Sequence, residues 1–469
     1  MFYAAAIGFL FYASSAQADR VTPESIHPER ELLITAPSVV DSIAAQYPGP
    51  WSFGGLIEQL VGVKQAPQRV GEWLALWETN PNVKLDNLFA RPGIVEKIIQ
   101  PWQRLDGYDP SKGKPWEPNL SHAPFRLLAI VNRMDLCAPA VAGTLREVQE
   151  SWIRRGQGKE FLKLLESTGE NVSAPSGGYD SQQQSSAGEG RLVFGAVNPD
   201  GTPMEGGWTL IFEYRLIAAS VADLQAWAQR WHSLGSLEIT DPRFCSDLEM
   251  ITRGFTHREG LGASGAFSQL RSSEAAFGSG REFRQFNANL TPTPLPRTPP
   301  PHFSVKNSPE QRLLSVFLHD HDALIRSGVH RLPLQLPDRH KAIPLVAWNA
   351  FIPKDQPGFY WDAGSHVSRD ARRIYSLNTC NGCHAGETGT LDGLHIRPRA
   401  QGSPAALSEF LRIDGKPLRL NDPDVRGSKI EYTEMKDRAA IFAAMLDTNT
   451  RSMLRELRSV LKERLERTH

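Results

Sequence analysis

Residues 190–218, GRLVFGAVNPDGTPMEGGWTLIFEYRLIA, hold two apolar runs around a turn-rich connection. Gly190 to Ala196 and Trp208 to Ala218 alternate or run apolar, and Asn198-Pro199-Asp200-Gly201 supplies turn residues, so the stretch reads as a β-hairpin with a longish connection. Upstream, Phe125 to Asn132 (FRLLAIVN) has the continuous apolar run of a buried strand. Helical spacing flanks these strands: Leu56 to Val63, Glu72 to Trp77 with Trp73 and Trp77 four apart, Gly93 to Trp102, and Ala222 to Leu234 with Leu224, Trp227 and Trp231 along one side. Together they predict an α+β N-terminal domain with a β-hairpin or sheet and helices, over residues 19–290.

Two stretches interrupt the pattern. Ser173 to Gly190 is dominated by serine, glycine and glutamine and reads as a surface loop. Thr291 to Pro301 (TPTPLPRTPPP) carries six prolines, which favour an extended spacer, so a linker is expected over 291–303. Beyond it, Pro309 to Ser327, Arg369 to Thr379, Leu407 to Leu411, Met435 to Leu446 and Met453 to Leu465 have helical character, and residues 304–469 read as a mainly α C-terminal domain. Pro333 to Ala350 is punctuated by proline and has room for one or two short strands.

A chain of 469 residues exceeds the roughly 250–300 at which single cores stop growing, which agrees with two domains. Lysine plus arginine equals aspartate plus glutamate at 52 each, so no net field draws the chain to nucleic acid or an anionic membrane. Ala4 to Ala13 is nearly all apolar and Ala16-Gln17-Ala18 fits a small-residue cleavage site, so residues 1–18 read as a signal peptide. The expected location is periplasmic or extracellular, with no membrane span after cleavage, because the apolar stretch is about half the roughly twenty residues a span needs.

The four cysteines are of two kinds. Cys137 and Cys245 are far apart in sequence; in an oxidising compartment they form either a disulfide or two buried thiols. Cys380-Asn381-Gly382-Cys383-His384 is the minimal unit for attaching haem covalently: two thiols on one helical turn reach the two vinyl groups of one porphyrin edge, and the next residue presents an imidazole to the iron. Export and this motif agree, since covalent attachment of this kind takes place on exported apoproteins. The expected cofactor is one covalently attached haem c, with Cys380 and Cys383 as thioethers and His384 as proximal iron ligand. A local disulfide, or a zinc staple with His384 or His395 among its ligands, is the alternative.

For the sixth iron position the candidates are Met435, before a helical run, and His395, in the loop Leu391 to Arg399; an open position is the third reading. Arg372, Arg373, Arg397 and Arg399 are candidates for pairing with haem propionates. His319 and Asp322, at i and i+3, are a weaker metal pair, and Glu189, Glu205 and Glu213 read as surface carboxylates beside a turn. HExxH, GxSxG and Walker motifs are absent, which removes the common hydrolase and phosphate-binding mechanisms.

The runs Ser376 to Thr388 (SLNTCNGCHAGET), Ser403 to Leu411, Phe125 to Leu136, Ala187 to Gly195, Gly206 to Arg215 and Gln269 to Glu274 resemble an uncharacterised group of exported bacterial proteins with a TCNGCHAGET motif. That resemblance spans most of the chain and implies no activity. Around CxxCH the chain resembles c-type cytochromes, which implies a cytochrome c-like C-terminal domain; the short loop to His395 departs from the usual cytochrome pattern. The reading that results is an exported mono-haem c-type electron-transfer protein with a large accessory domain and an unidentified redox partner protein or small molecule. The alternative is a non-catalytic exported binding or surface protein.

Overall fold

The computed structural model describes residues 21–467 apart from 79–90, 138–185, 205–206, 258–265, 276–279, 327–329, 331, 333–334, 337–342, 345 and 354–357. The signal-peptide segment and Glu205 therefore lie outside the described residues. The two apolar runs at 190–218 pair as expected: β3 (Ser186–Ala196) and β4 (Trp208–Ile217) are antiparallel, with Leu192 opposite Phe212 and Gly195 opposite Thr209. β2 (Phe125–Arg133) lies beside β3, with β1 (Leu33–Ile34) on its outer side. Beyond β4 come β5 (Phe267–Ala275), β6 (Gly280–Phe286), and then, both against β6, β7 (Pro292–Thr293) and β10 (Ala350–Pro353). Every pairing is antiparallel. The chain is α+β, with two-stranded pairs β8 (Gln335–Leu336) with β9 (Ile343–Pro344) and β11 (Leu418–Asn421) with β12 (Lys429–Tyr432) outside the large sheet.

Alternation along the strands divides the sheet into two faces. Leu192, Phe194, Trp208, Leu210, Phe212, Leu270 and Phe286 belong to the main apolar core. Against them pack helices Phe53–Val61 and Ala66–Glu78, whose Trp73 and Trp77 rings lie 5.4 and 4.9 Å from Trp208. Helices Val221–Ser233 and Pro242–Thr256, inserted between β4 and β5, contribute Leu224, Trp231, Phe244 and Leu248 to the same core. The first of these starts with a capping box in which Ser220 Oγ accepts from the Asp223 N–H and Asp223 accepts from the Ser220 N–H. Ser220→Ala should lower stability by about 1 kcal/mol, measured as a shifted urea midpoint at unchanged slope.

Three expectations are corrected, and the open alternative for Cys137 and Cys245 is decided. Thr291 to Pro301 is not a spacer: Pro292–Thr293 joins the sheet, Leu295 bridges to Ala347, and Leu295 and Thr298 are buried. Pro292 lies in β7, which pairs only with β6, so its missing N–H is tolerated there. Nor does a core end at 291–303, because β10 completes the sheet from beyond it and Phe410, Ile430, Ile441, Phe442 and Leu457 belong to the main core. The serine-rich loop ends earlier than Gly190, since Ser186 already belongs to β3. Cys137 and Cys245 are free thiols: Cys137 is buried, and Cys245 Sγ faces the Ser38 carbonyl at 3.6 Å. Among the described residues no helix is long and apolar enough to cross a membrane.

Candidate haem-attachment site

Helix Arg369–Asn378 leads into the single turn Cys380–Cys383 across Thr379. Thr379 Oγ1 caps the turn by accepting from the Gly382 N–H at 3.0 Å, and it also receives the Trp361 indole N–H at 2.9 Å. A Cβ on Gly382 would stand 2.2 Å from the Ser376 carbonyl oxygen, so only glycine lets the turn pack so closely on the preceding helix. The Cys380 N–H donates to Thr298 Oγ1 at 3.1 Å, which ties the motif to the proline-rich strap. Ala385 packs with Phe283, Leu295, Ala350 and Ile352, so the motif rests on the β6–β10 edge of the sheet.

His384 is held from three sides. Its Nδ1 lies 2.9 Å from the Gly393 carbonyl, which can only accept, so Nδ1 carries the proton and Nε2 keeps its lone pair. The ring lies between Phe283, at 4.8 Å, and His395, at 4.5 Å between centroids. Burial, with the neighbouring His395 next, drives its pKa well below the usual histidine value, so the imidazole is neutral. Burial likewise raises the Cys380 thiol and pushes Cys383 up to about 12. Both thiols are thus protonated near neutral pH, the opposite of the activated thiolate a disulfide exchanger needs.

These groups share a cavity of about 470 Å³, within the range of roughly 300–1,000 Å³ usual for cofactor and small-molecule sites. Cys380, Cys383, His384 and His395 line one part of it. The face of the sheet turned away from the aromatic core lines another, through Ile211, Glu213, Arg271, Phe283 and Gln285. Arg133, Arg297, Arg373 and Arg438 also reach the cavity, held by Asp135, Asn378, Asp370 and Glu434 respectively, and Asp135, Glu213, Glu431, Glu434 and Asp437 line it as well. Two thiols and a neutral imidazole with one nitrogen not hydrogen-bonded thus share one largely apolar cavity of cofactor size.

His395 does not stand opposite His384. Its Nε2 is 3.1 Å from the Cys383 carbonyl oxygen and 3.5 Å from Cys383 Sγ, and its Nδ1 is 2.9 Å from Ser408 Oγ. The carbonyl makes Nε2 the protonated nitrogen and leaves Nδ1 to accept from the Ser408 hydroxyl. Burial takes its pKa down to about 3. Two imidazoles bound at about 2 Å on opposite sides of a metal put their ring centres about 6 Å apart; these are 4.5 Å apart, with no space for a porphyrin between them. Met435, the other candidate, is buried in the main apolar core, while its helix neighbours Glu434, Asp437 and Arg438 line the cavity.

Of the arginines proposed for propionates, only Arg373 lines the cavity. Arg372 pairs with Glu387 and Asp424, Arg397 with Asp392, and Arg399 with Asp41. His319 sits beside Asp320 on the surface, and Asp322 accepts from Ser368 Oγ, so the i,i+3 metal pair is not assembled. Among the described residues no group of three or more His, Cys, Asp or Glu side chains is placed to hold a metal ion, and Cys380 and Cys383 are not bridged. Glu189 and Glu213 are buried rather than on the surface: Arg191 bonds Glu189 at 2.6 Å, and Gln269 donates to Glu213. Arg271, beside Glu213, carries no sequence signal, because β5 (FSQLRSSEA) reads as polar and alternates neither in composition nor in burial. The chain matches no protein-family model, no curated protein and no solved structure.

Proposed function

We propose that this chain is an exported mono-haem c-type redox protein, with Cys380 and Cys383 as thioether attachment points, His384 as proximal iron ligand, and electrons exchanged with a redox partner protein or small molecule. The observation that carries this reading is that both thiols and His384 line one cofactor-sized cavity while the Gly393 carbonyl pins His384 Nδ1 and frees Nε2. A metal-binding imidazole usually donates its other N–H in this way, which fixes the tautomer and ring orientation. Haem iron bound there supplies one-electron chemistry. The imidazole is held by the Gly393 carbonyl and packs beside Phe283 and His395. Full-length protein from a host that matures cytochromes c should give the c-type pyridine haemochrome band, and the Cys380→Ala, Cys383→Ala double variant should lose it. Correctly exported, folded protein with no such band would overturn the assignment.

A further inference from the structure

Arg281 and Phe283 stand two apart on β6, so strand alternation turns both toward the cysteine motif. Phe283 packs its ring 4.8 Å from that of His384, a contact that does not distinguish the two ring nitrogens. The Gly393 carbonyl does distinguish them, since it accepts from Nδ1, and its direction depends on the backbone of the 390–394 turn. Within that turn the Gly393 N–H donates to the Thr390 carbonyl and the Leu394 N–H to Asp392 Oδ1. Those bonds give the turn its shape, but Gly393, at φ +70°, is a permissive position, and local bonds do not fix the turn against the sheet.

Arg281 supplies that fixture. Its Nε donates to the Asp392 carbonyl at 2.9 Å, and its Nη1 donates to Ser273 Oγ at 3.0 Å and to the Ser273 carbonyl at 3.3 Å. One guanidinium thus joins the peptide preceding Gly393 to strand β5. The stem lies against Gly393 itself, where a Cβ would come within 2.4 Å of Arg281 Cδ. The side chain is buried, and burial lowers its pKa to about 10, which leaves it charged at neutral pH. A desolvated cation is tolerated where its donors are used, and the turn and Ser273 use them.

We infer that Arg281 is a positioning residue for His384: by clamping the peptide between Asp392 and Gly393 to β5, it aims the Gly393 carbonyl and holds the imidazole in the Nδ1–H tautomer. The use of the remaining nitrogen for iron rests on the haem reading; the clamp belongs to the chain itself. Lysine is no substitute, because a single ammonium lacks the fixed fork that reaches the turn and Ser273 together.

The test uses the full-length chain made without haem and with isotopically labelled histidine, its ring protons read by long-range proton–nitrogen correlation. His384 is identified by its absence in His384→Gln. Wild type should show an excess of the Nδ1–H form at His384. Arg281→Met and Arg281→Lys should each lower the ratio of Nδ1–H to Nε2–H by about tenfold, the size of one hydrogen bond. Arg281→Lys keeps the stem and the charge, and carries the test where Arg281→Met fails to fold. Ser220→Ala, which uncaps helix Val221–Ser233, should leave the ratio unchanged and so separates positioning from lost stability. A wild-type ratio in either folded Arg281 variant, or no excess of the Nδ1–H form in wild type, would overturn the clamp. Absence of covalent haem from a maturing host would overturn the haem reading instead, and leaves this ratio as it is.

Discussion

Arg399→Met should lower the stability of the protein by about 3–5 kcal/mol, because it breaks a buried charge pair and strands several carbonyls at once. Its guanidinium grips both Asp41 oxygens, at 2.6 and 2.9 Å, and donates to the carbonyls of Val40, Leu127 and Ser403. The side chain is 1% exposed, so water does not replace those partners. Through these bonds the arm from Leu394 to Ser403, which carries His395, is tied to the β2 edge of the sheet. Urea unfolding should show the loss as a lower midpoint at unchanged slope. Arg397→Ala, two residues away, is the control: its pair with Asp392 is 37% and 43% exposed, and its removal should cost less than about 1 kcal/mol. A wild-type midpoint in Arg399→Met would refute the anchoring role.

The same pair predicts a pH dependence. Burial opposes ionisation of Asp41, but the hydrogen bonds from Arg399 and the Gly402 N–H outweigh it and hold the carboxyl below its usual range. A carboxyl whose folded pKa is depressed gives the unfolded chain the greater proton uptake, so the contribution is fully present above the unfolded value near about 3.9 and is lost as pH falls through the folded one. The stabilities of wild type and Arg399→Met should therefore converge on acidification below about pH 4, which a series of urea titrations would follow.

Gly393→Ala should destabilise by about 2–4 kcal/mol, combining left-handed backbone strain with overpacking. Gly393 has φ +70°, and a Cβ there would stand 2.4 Å from Arg281 Cδ. Arg281 has little freedom to yield, since its Nε donates to the Asp392 carbonyl and its Nη1 to Ser273. The turn that must shift is the one whose carbonyl holds His384 Nδ1. In the haem-loaded protein the variant should also show a perturbed iron spin state, read from the visible spectrum, whereas Gly402→Ala, where a Cβ meets open space, should leave the spectrum unchanged. A wild-type spectrum in Gly393→Ala would mean that the carbonyl does not position the ligand.

The amino-acid order was informative wherever the physics is local. Apolar runs placed β2, β3 and β4, helical spacing placed Trp73 and Trp77, and the spacing of CNGCH put two thiols and an imidazole on one short turn. It failed for β5 and β6, which carry Glu274, Glu282 and Arg284 into buried positions. Those charges are tolerated through partners far away in sequence: Trp77 donates to Glu274 at 2.7 Å, Asn349 at 2.5 Å to Glu282, and Arg284 pairs with both glutamates. A strand whose polar residues are matched by distant groups has the composition of a surface segment. The proline-rich strap misled for a related reason, since its Leu295 and Thr298 find burial against β10 and the cysteine motif.

By itself, then, the sequence determined that two thiols and an imidazole share one short turn, because that arrangement depends on neighbours within five residues. Tertiary structure alone decided what surrounds them: the second face of the sheet, the arginines on the cavity wall, and the placing of His395 beside His384 rather than across from it. Those relations join residues from eleven positions apart, as His384 and His395, to about three hundred, as Arg133 and Arg438, and only packing and electrostatic pairing in the folded chain select them.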